Sequence, residues 1–263
     1  MAPALEIALL WLVFGGLHLG LTTGPVRRRL VQGLGEMGFG VLFSIAAALS
    51  FTALVMRYAQ IRFDGAAGPA LTAIPLLRPV LMTLAGAGVV LAVCGLVTYP
   101  RLPSALFGQR VAAPRGVERI TRHPFFVGAA ILALAHMLLA AHLVGVTFFG
   151  GFALLTLVGA WHQDRKLLAR LGEPYTAYLG VTSIVPFAAV LSGRQQLDGR
   201  ELPLGAIAAG VGAALALRAV HPALFARDGL WIVVATLAGA AVATVQAWRR
   251  AHRSALRGSP ATT

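Results

Sequence analysis

The feature that most constrains this chain is a series of long, almost uncharged apolar runs, each near the roughly 17 to 25 residues that a helix needs to cross a bilayer. They lie at approximately Ala4 to Leu21, Met37 to Met56, Leu76 to Val97, Pro124 to His142, Gly145 to Trp161, Leu204 to Ala219 and Leu230 to Trp248. A backbone in hydrocarbon must satisfy its own N–H and C=O groups, so runs of this kind become helices. The expected fold is an all-α, polytopic membrane helical bundle of about 6–7 transmembrane helices. The sixth run is short and rich in Gly and Ala, and a six-helix bundle would drop it or make it re-entrant.

Composition agrees. Of 263 residues, 58% are hydrophobic and only 12% charged, whereas a soluble domain carries about 25% charged residues. The formal charge of +13 comes from 22 Lys plus Arg against 9 Asp plus Glu. These basic residues fill the gaps between apolar runs, which is the positive-inside pattern and not a nucleic-acid footprint. Seventeen of them flank one set of helix ends and five the other. That places the C-terminus in the cytoplasm, the N-terminus outside and the protein in the cell inner (plasma) membrane. No basic n-region or small-residue cleavage site accompanies the first run, and Glu6 stands at its start, so it is expected to stay in the mature protein. Neither an internal repeat nor a domain boundary is evident, so we expect one membrane domain over 1–263 with a basic cytoplasmic tail at 249–263. The single Cys94 excludes an intramolecular disulfide and a cysteine-built metal cage. The expected partners are membrane lipids and a lipophilic substrate from the bilayer, with no nucleic acid.

Two cytoplasmic connections are long enough to hold chemistry. Tyr99 to His123 is interrupted by prolines and glycines and carries five arginines as anion-binding donors. In Trp161 to Arg200 the residues Leu167, Leu168, Leu171, Tyr175 and Tyr178 recur at helical spacing, which predicts an amphipathic interfacial helix broken at Gly172 and Pro174. At this boundary Arg119, Arg122, His123, His162, Asp164, Tyr175 and Tyr178 form a basic edge with one carboxylate and phenols. Such an edge suits an anionic cofactor or headgroup, and equally a set of interfacial ion pairs and tyrosine anchors.

Seven histidines are present. His252 in the tail and His142 at an outer boundary read as solvated residues. His18 and His136 lie inside apolar runs, where an imidazole is costly and marks a functional site by default. On a helix, His136 is surrounded by Ala129, Leu132, Ala133 and Ala140, and His18 by Trp11, Phe14 and Gly15. Small neighbours leave room for a flat metalloporphyrin that imidazole could ligate, or simply allow close helix packing with an interhelical hydrogen bond. Spacing alone leaves packing the simpler account. No phosphate loop, nucleophile elbow, HExxH or paired carboxylates occur in a credible context, so hydrolase and ATP-driven chemistry have no support.

Longer motifs add a family resemblance. The stretches GVERITRHPFFVG, LAH at His136, GAWHQDRKLLARLGEPYTAY and TSIVPF, together with GLHLGLTTGPVRRRLVQGLGEMGFGVLFS, SGRQ and AVHPALF, resemble the NnrU-type membrane proteins and, within them, the 15-cis-zeta-carotene isomerases. This resemblance implies a haem b protein with His18 and His136 as axial iron ligands and as the catalytic pair in cis-trans isomerisation of a carotene or other polyene. Arg119, Arg122, His123, His162 and Tyr175 would then bind the cofactor. The isomerases carry a thiol three residues before the second histidine, where this chain has Ala133, and an asparagine where it has His162. Another branch of the family, associated with nitrite and nitric oxide respiration, implies a noncatalytic haem protein. The RHP and GEPYxxY elements also resemble the isoprenylcysteine carboxyl methyltransferases, which implies S-adenosylmethionine binding, although their paired acidic residues are reduced here to Gln163 and Asp164.

The two histidines carry a geometric condition. Measured from the run ends, His136 lies roughly 18 Å from the cytoplasmic edge and His18 only roughly 5 to 8 Å, at about 1.5 Å per residue. Axial nitrogens of one haem stand about 4 Å apart across the iron, so this offset must vanish, or another pair such as His18 with His123 or His162 must ligate.

Overall fold

A computed structural model describes residues 2–98 and 111–257. Among the described residues there is no β-strand, only one isolated antiparallel bridge between Ala67 and His142. The principal helices are α1 (Ala2–Gly20), α2 (Gly24–Ile61), α3 (Leu77–Thr98), α4 (Pro124–Leu139), α5 (Leu143–Leu171), α6 (Glu173–Val181), α7 (Ala188–Leu191), α8 (Leu204–Val220) and α9 (Leu230–Arg257). Seven of these coincide with the seven apolar runs. Five segments, Ala2–Gly20, Gly24–Ile61, Leu77–Val97, Leu143–Leu171 and Leu204–Ala223, are long and apolar enough to cross a membrane. Helix α4 is apolar but shorter.

Several boundaries move, each for a local reason. Helix α2 starts at Gly24, ahead of the apolar run, and contains Gly35 at φ 71° and ψ 170°. That backbone conformation is open to glycine, which has no Cβ to clash. The basic first segment of α2 and its apolar remainder are therefore two helical segments that meet at a kink at Gly35. Helix α4 stops at Leu139 and not at His142, which leaves His136 in its last turn. Helix α5 continues past Trp161 to Leu171, because HQDRKLLARL contains no helix breaker. Hydropathy marks where the apolar surface ends; it does not mark where the helix ends. Gly172, at φ 58°, then breaks the chain as expected, whereas Pro174 lies in the first turn of α6 and opens it. Tyr99 to Arg110 of the first connection, and the tail beyond Arg257, lie outside the described residues.

The chain divides into two compact units. The first contains residues up to Ala85, Ala133–Leu155 and Ala219–Leu237. Its core takes Ile7, Trp11 and Phe14 from α1, at steps of four and three, with Phe51, Leu54, Val55 and Tyr58 from α2, Val144 and Phe148 from α5, and Val233 from α9. The opposite side of α1, with Leu5, Leu9 and Leu12, is exposed apolar surface of the kind a bilayer covers. Trp11 donates from its indole N–H to the carbonyl of Phe148 at 3.1 Å, and its ring occupies the space that a side chain at Gly151 would need. Arg57 of α2 donates to Glu6 of α1 at 2.8 Å.

The second unit contains Gly86–Leu132, Thr156–Arg218 and residues from Ala238 onward. Here backbones touch through glycines. A Cβ on Gly88 would lie 2.7 Å from the Gly128 carbonyl, one on Gly128 would lie 2.5 Å from the Ala92 nitrogen, and one on Gly95 would collide with the Phe125 backbone. Helix α8 meets α3 in the same way, with Gly210 against Val90. In lipid, where apolar surface gains little by self-association, such close contacts are what hold helices together. Cys94, Val117 and Ala206 fill the core beside them.

Gly128→Ala is therefore expected to lower stability by about 1 to 3 kcal/mol through overpacking of α4 on α3. Gly212→Ala, where an added Cβ meets nothing within 4 Å, is expected to be neutral or slightly stabilising; thermal unfolding of both variants in detergent measures the difference.

Candidate functional site

The boundary residues of the second unit assemble around one carboxylate. Pro124 opens α4 and leaves Arg122 and His123 on the approach to it, while α5 carries Asp164 and α6 carries Tyr175. Arg122 donates from Nε and Nη2 to Asp164 Oδ2 at 2.9 and 2.7 Å. The other oxygen, Oδ1, is 2.7 Å from His123 Nε2 and accepts the Tyr175 hydroxyl at 2.6 Å. The His123 side chain is fully buried, and those of Asp164 and Arg122 nearly so. Backbone pairing of Arg122 with Ser183, and the bond from Thr121 Oγ1 to the Ile184 carbonyl, fix the segment that presents them. Burial, reinforced by the bond to Asp164, pushes the Tyr175 hydroxyl well above the usual phenol range, so it stays a donor. Tyr178 is pushed up in the same direction by burial first and Glu118 second.

Arg119 belongs to a second clamp. Its Nε and Nη2 meet the two oxygens of Glu201 at 2.9 and 3.1 Å, and its Nη1 reaches Gln195 at 2.6 Å. Gly116, at φ 55°, donates its N–H to the same carboxylate at 3.0 Å. The Arg119 hydrogen bond, helped by Gly116, holds the Glu201 carboxyl down at about 2.

Thus four of the five residues expected to bind an anionic cofactor, Arg119, Arg122, His123 and Tyr175, are brought together in two neighbouring networks that direct their donors to Asp164, Glu201 and Gln195. His162 stands elsewhere on α5 among Arg165 and Lys166, and its Nε2 is buried without a hydrogen-bond partner. The signal for Asp164 as the common acceptor was its position next to the HQ pair in an otherwise basic stretch. Glu201, distant in sequence from Arg119, had no sequence signal.

The intramembrane histidines belong to the first unit. The ring of His18 packs on Phe14 and Phe43, with centroids 5.4 and 5.2 Å away. Gly15 and Gly16 beside it have open space where a Cβ would stand. His136 packs on Phe149 at 4.9 Å and lies 6.1 Å from His221, with the two imidazole planes 22° apart. It also lines a cavity of about 170 Å³ walled by Tyr58, Arg62, Phe63, His142 and Phe149. His142, expected to be solvated, instead lines this cavity, with a buried Nδ1 that has no hydrogen-bond partner. Of the small residues expected around His136, Ala133 is buried and Ala140 lines the cavity.

The residues of this unit also show how the two histidines stand along the helices. Helices α1 and α2 are antiparallel, with Glu6 beside Arg57, Phe14 beside Phe51 and His18 beside Phe43. Trp11 is level with Phe148 and Phe152 of α5, and His136 with Phe149. His18 lies seven residues beyond Trp11 on α1. At the rise of an α-helix that is roughly 10 Å further along the axis. On α2, Tyr58 touches Phe149 and Phe43 touches His18. The fifteen residues from Phe43 to Tyr58 span roughly 22 Å of helix. The axial offset expected from the run ends is thus retained. Among the described residues, no group of three or more His, Cys, Asp and Glu forms a cage for a metal ion.

The two networks differ in what their loss would cost. Asp164→Asn is expected to cost about 3 to 5 kcal/mol, because it leaves Arg122 and His123 facing a neutral amide in a buried site. Tyr175→Phe removes one donor and should cost about 0.5 to 1.5 kcal/mol; thermal unfolding in detergent orders the two. For Glu201 the folded value lies below the unfolded one, so its pairing contributes stability above roughly pH 4.3 and loses it as pH falls toward about 2. The expected result is an acid-labile step in that window, seen by carboxylate infrared absorption and absent in Glu201→Gln.

Comparison with known proteins agrees with the motifs. Residues 6–228 match the model of the NnrU protein family. A protein named 15-cis-zeta-carotene isomerase, chloroplastic, from Arabidopsis thaliana is 31% identical over 204 residues, which is 74% of this chain and 53% of the plant protein. One of the same name from Zea mays is 46% identical over 82 residues, 31% of this chain and 22% of that protein. The chain therefore spans about half the length of the first relative and about a fifth of the second. No solved structure matches.

Proposed function

Because the chain belongs to the NnrU family, we propose that it is a membrane cis-trans isomerase acting on a cis-carotene or a similar long polyene, with haem b as its cofactor. The observation that carries this reading is the cavity at His136, where an imidazole opens on a space bounded by the rings of Tyr58, Phe63 and Phe149. Its volume, about 170 Å³, is below the roughly 300 to 1,000 Å³ that encloses a whole small ligand. It suits one portion of a long apolar molecule whose remainder stays in lipid. Aromatic walls complement a conjugated chain by face and edge contacts without polar groups that would demand partners.

The donors at the cavity are of the kind that haem takes, although about 170 Å³ is less than a whole macrocycle occupies. His136 offers an imidazole in apolar surroundings, and Arg62 offers a guanidinium at the cavity for an anionic side group. Gly145 keeps the lining free of a Cβ that would stand 3.0 Å from Ala140. When bound, the haem iron would exchange electron density with a conjugated double bond and so lower its rotation barrier. The motifs point to His136 and His18 as ligands, but the offset of roughly 10 Å or more between them along the helices keeps the two from one iron, so His136 is the ligand we assign. The remaining work falls to this chain's residues: the rings hold the polyene, and exposed leucines such as Leu5, Leu9 and Leu12 keep the outside of the unit in lipid. The boundary networks of Asp164 and Glu201 act as positioning elements, since their carboxylates already take the nearby donors.

The test pairs a spectrum with turnover. Protein purified from haem-replete cells should show a Soret band that is lost or strongly reduced in His136→Ala. Expression in a carotenoid-producing host lacking its isomerase should restore coloured product in the dark. A Soret band without restored colour would leave a haem protein that is not an isomerase, and absence of the band from the wild-type protein sinks the haem reading.

A further inference from the structure

We propose that the cavity beside Tyr58 holds a six-membered ring ketone at the end of a long apolar chain, with the Tyr58 hydroxyl donating to the ketone oxygen. The proposal rests on the reading above that this cavity takes one portion of a long lipid molecule, and it names that portion.

The first observation is a buried hydroxyl with no partner. Tyr58, in the last turn of α2, is only 6% exposed and lines the cavity. Its ring is clamped by Phe148, stacked at 3.8 Å, and by Phe149 and Phe225, edge-on at 5.9 and 5.2 Å. The hydroxyl oxygen is thereby held 3.5 Å from where a Cβ on Gly145 would stand, and Gly145 is itself part of the lining. Among the described residues none hydrogen-bonds this hydroxyl. A buried tyrosine hydroxyl ordinarily finds a partner. The faces of the surrounding rings ask nothing polar of an occupant; this hydroxyl does.

Second, the lining offers donors in excess of acceptors. Arg62 has only donors, and no Asp or Glu is among the described lining residues. The carbonyls of Ala140 and Ala141 already accept the N–H groups of Ala70 and Gly68. An occupant that matches this wall brings an acceptor. A neutral ketone does so without the desolvation cost of burying a carboxylate beside Leu139 and Phe149.

Third, size and depth agree. An apolar cavity of about 150 Å³ takes one benzene, so about 170 Å³ suits a single six-membered ring. Its residues stand where helices end: Tyr58 and Arg62 at the end of α2, Leu139 at the end of α4, His142 just before α5. At helix ends a membrane passes from hydrocarbon to polar groups, which is where a lipid keeps a polar ring while its chain stays in hydrocarbon. Phe63 and Ala141 are exposed members of the lining, so the cavity opens to the outside of the unit and the chain can leave it.

Two kinds of lipid carry this chemistry, an isoprenoid quinone and a polyene with keto end rings. Full-length protein in lipid nanodiscs is titrated with difluorocyclohexanone, and with difluorocyclohexane as its oxygen-free match, and read by fluorine NMR against empty nanodiscs. The ketone should bind. Tyr58→Phe, which keeps the clamped ring, should weaken it by about 2- to 12-fold, the worth of one hydrogen bond, and leave the oxygen-free ring unchanged. Arg62→Gln, at the helix end, is the second variant and should also weaken only the ketone. Decylplastoquinone, canthaxanthin and β-carotene then compete for the site. Canthaxanthin competing better than β-carotene identifies the end ring of a polyene. If the quinone alone competes, the ring-ketone site stands and the polyene reading of this cavity falls. If both variants bind the ketone as the wild type does, or β-carotene competes as well as the two ketones, or no lipid competes, the proposal is overturned. If neither ring binds, it is overturned too, and restored colour in the carotenoid-producing host decides the isomerase reading independently.

Discussion

Hydrocarbon offers a backbone no hydrogen-bonding partner, and the rest of this structure answers to that constraint. Every apolar run becomes a helix, because only there does each N–H find a carbonyl within the same segment. Once helical, the runs cannot rely on burial of apolar surface to attract one another, since lipid is as apolar as leucine. What remains is close contact and the occasional buried polar bond. Both are visible: Gly88, Gly95 and Gly128 let the backbones of α3 and α4 touch, and the Trp11 indole donates across to the Phe148 carbonyl.

The same constraint explains the polar groups of the second unit. A carboxylate near an apolar boundary is tolerable only if its oxygens are filled, and Asp164 accepts from an arginine, a histidine and a tyrosine on separate segments. One residue therefore fixes the approach to α4 and the start of α6 relative to α5. The Arg119 and Glu201 clamp does the same for the turn before α8, more exposed and correspondingly more sensitive to acid. Residue types that suit an anion site also hold these segments together.

In the first unit the aromatic residues do both jobs. Phe14, Phe51, Phe148 and Phe152 pack the helices, and Tyr58 and Phe149 continue that cluster to the wall of the cavity at His136. The histidines sit where this aromatic core ends, which gives imidazole an apolar setting next to open space. The site therefore depends on packing residues as much as on the ligand-like ones.

The helical architecture and the family were legible in the sequence, because span length, charge placement and motif spacing are local properties set by backbone chemistry and the bilayer. So was the break at Gly172, which glycine's conformational freedom permits. The ends of α2, α4 and α5 were less legible, since hydropathy reports what surrounds a helix and says nothing of where its hydrogen bonds stop. Tertiary structure alone decided which groups meet. Arg119 finds Glu201 across more than eighty residues, and His136 finds His221 across a similar distance. It also keeps His18 on another level of the same unit. Side chains far apart in the chain come together only through the stagger of packed helices, and no periodicity within one helix encodes its stagger against the next.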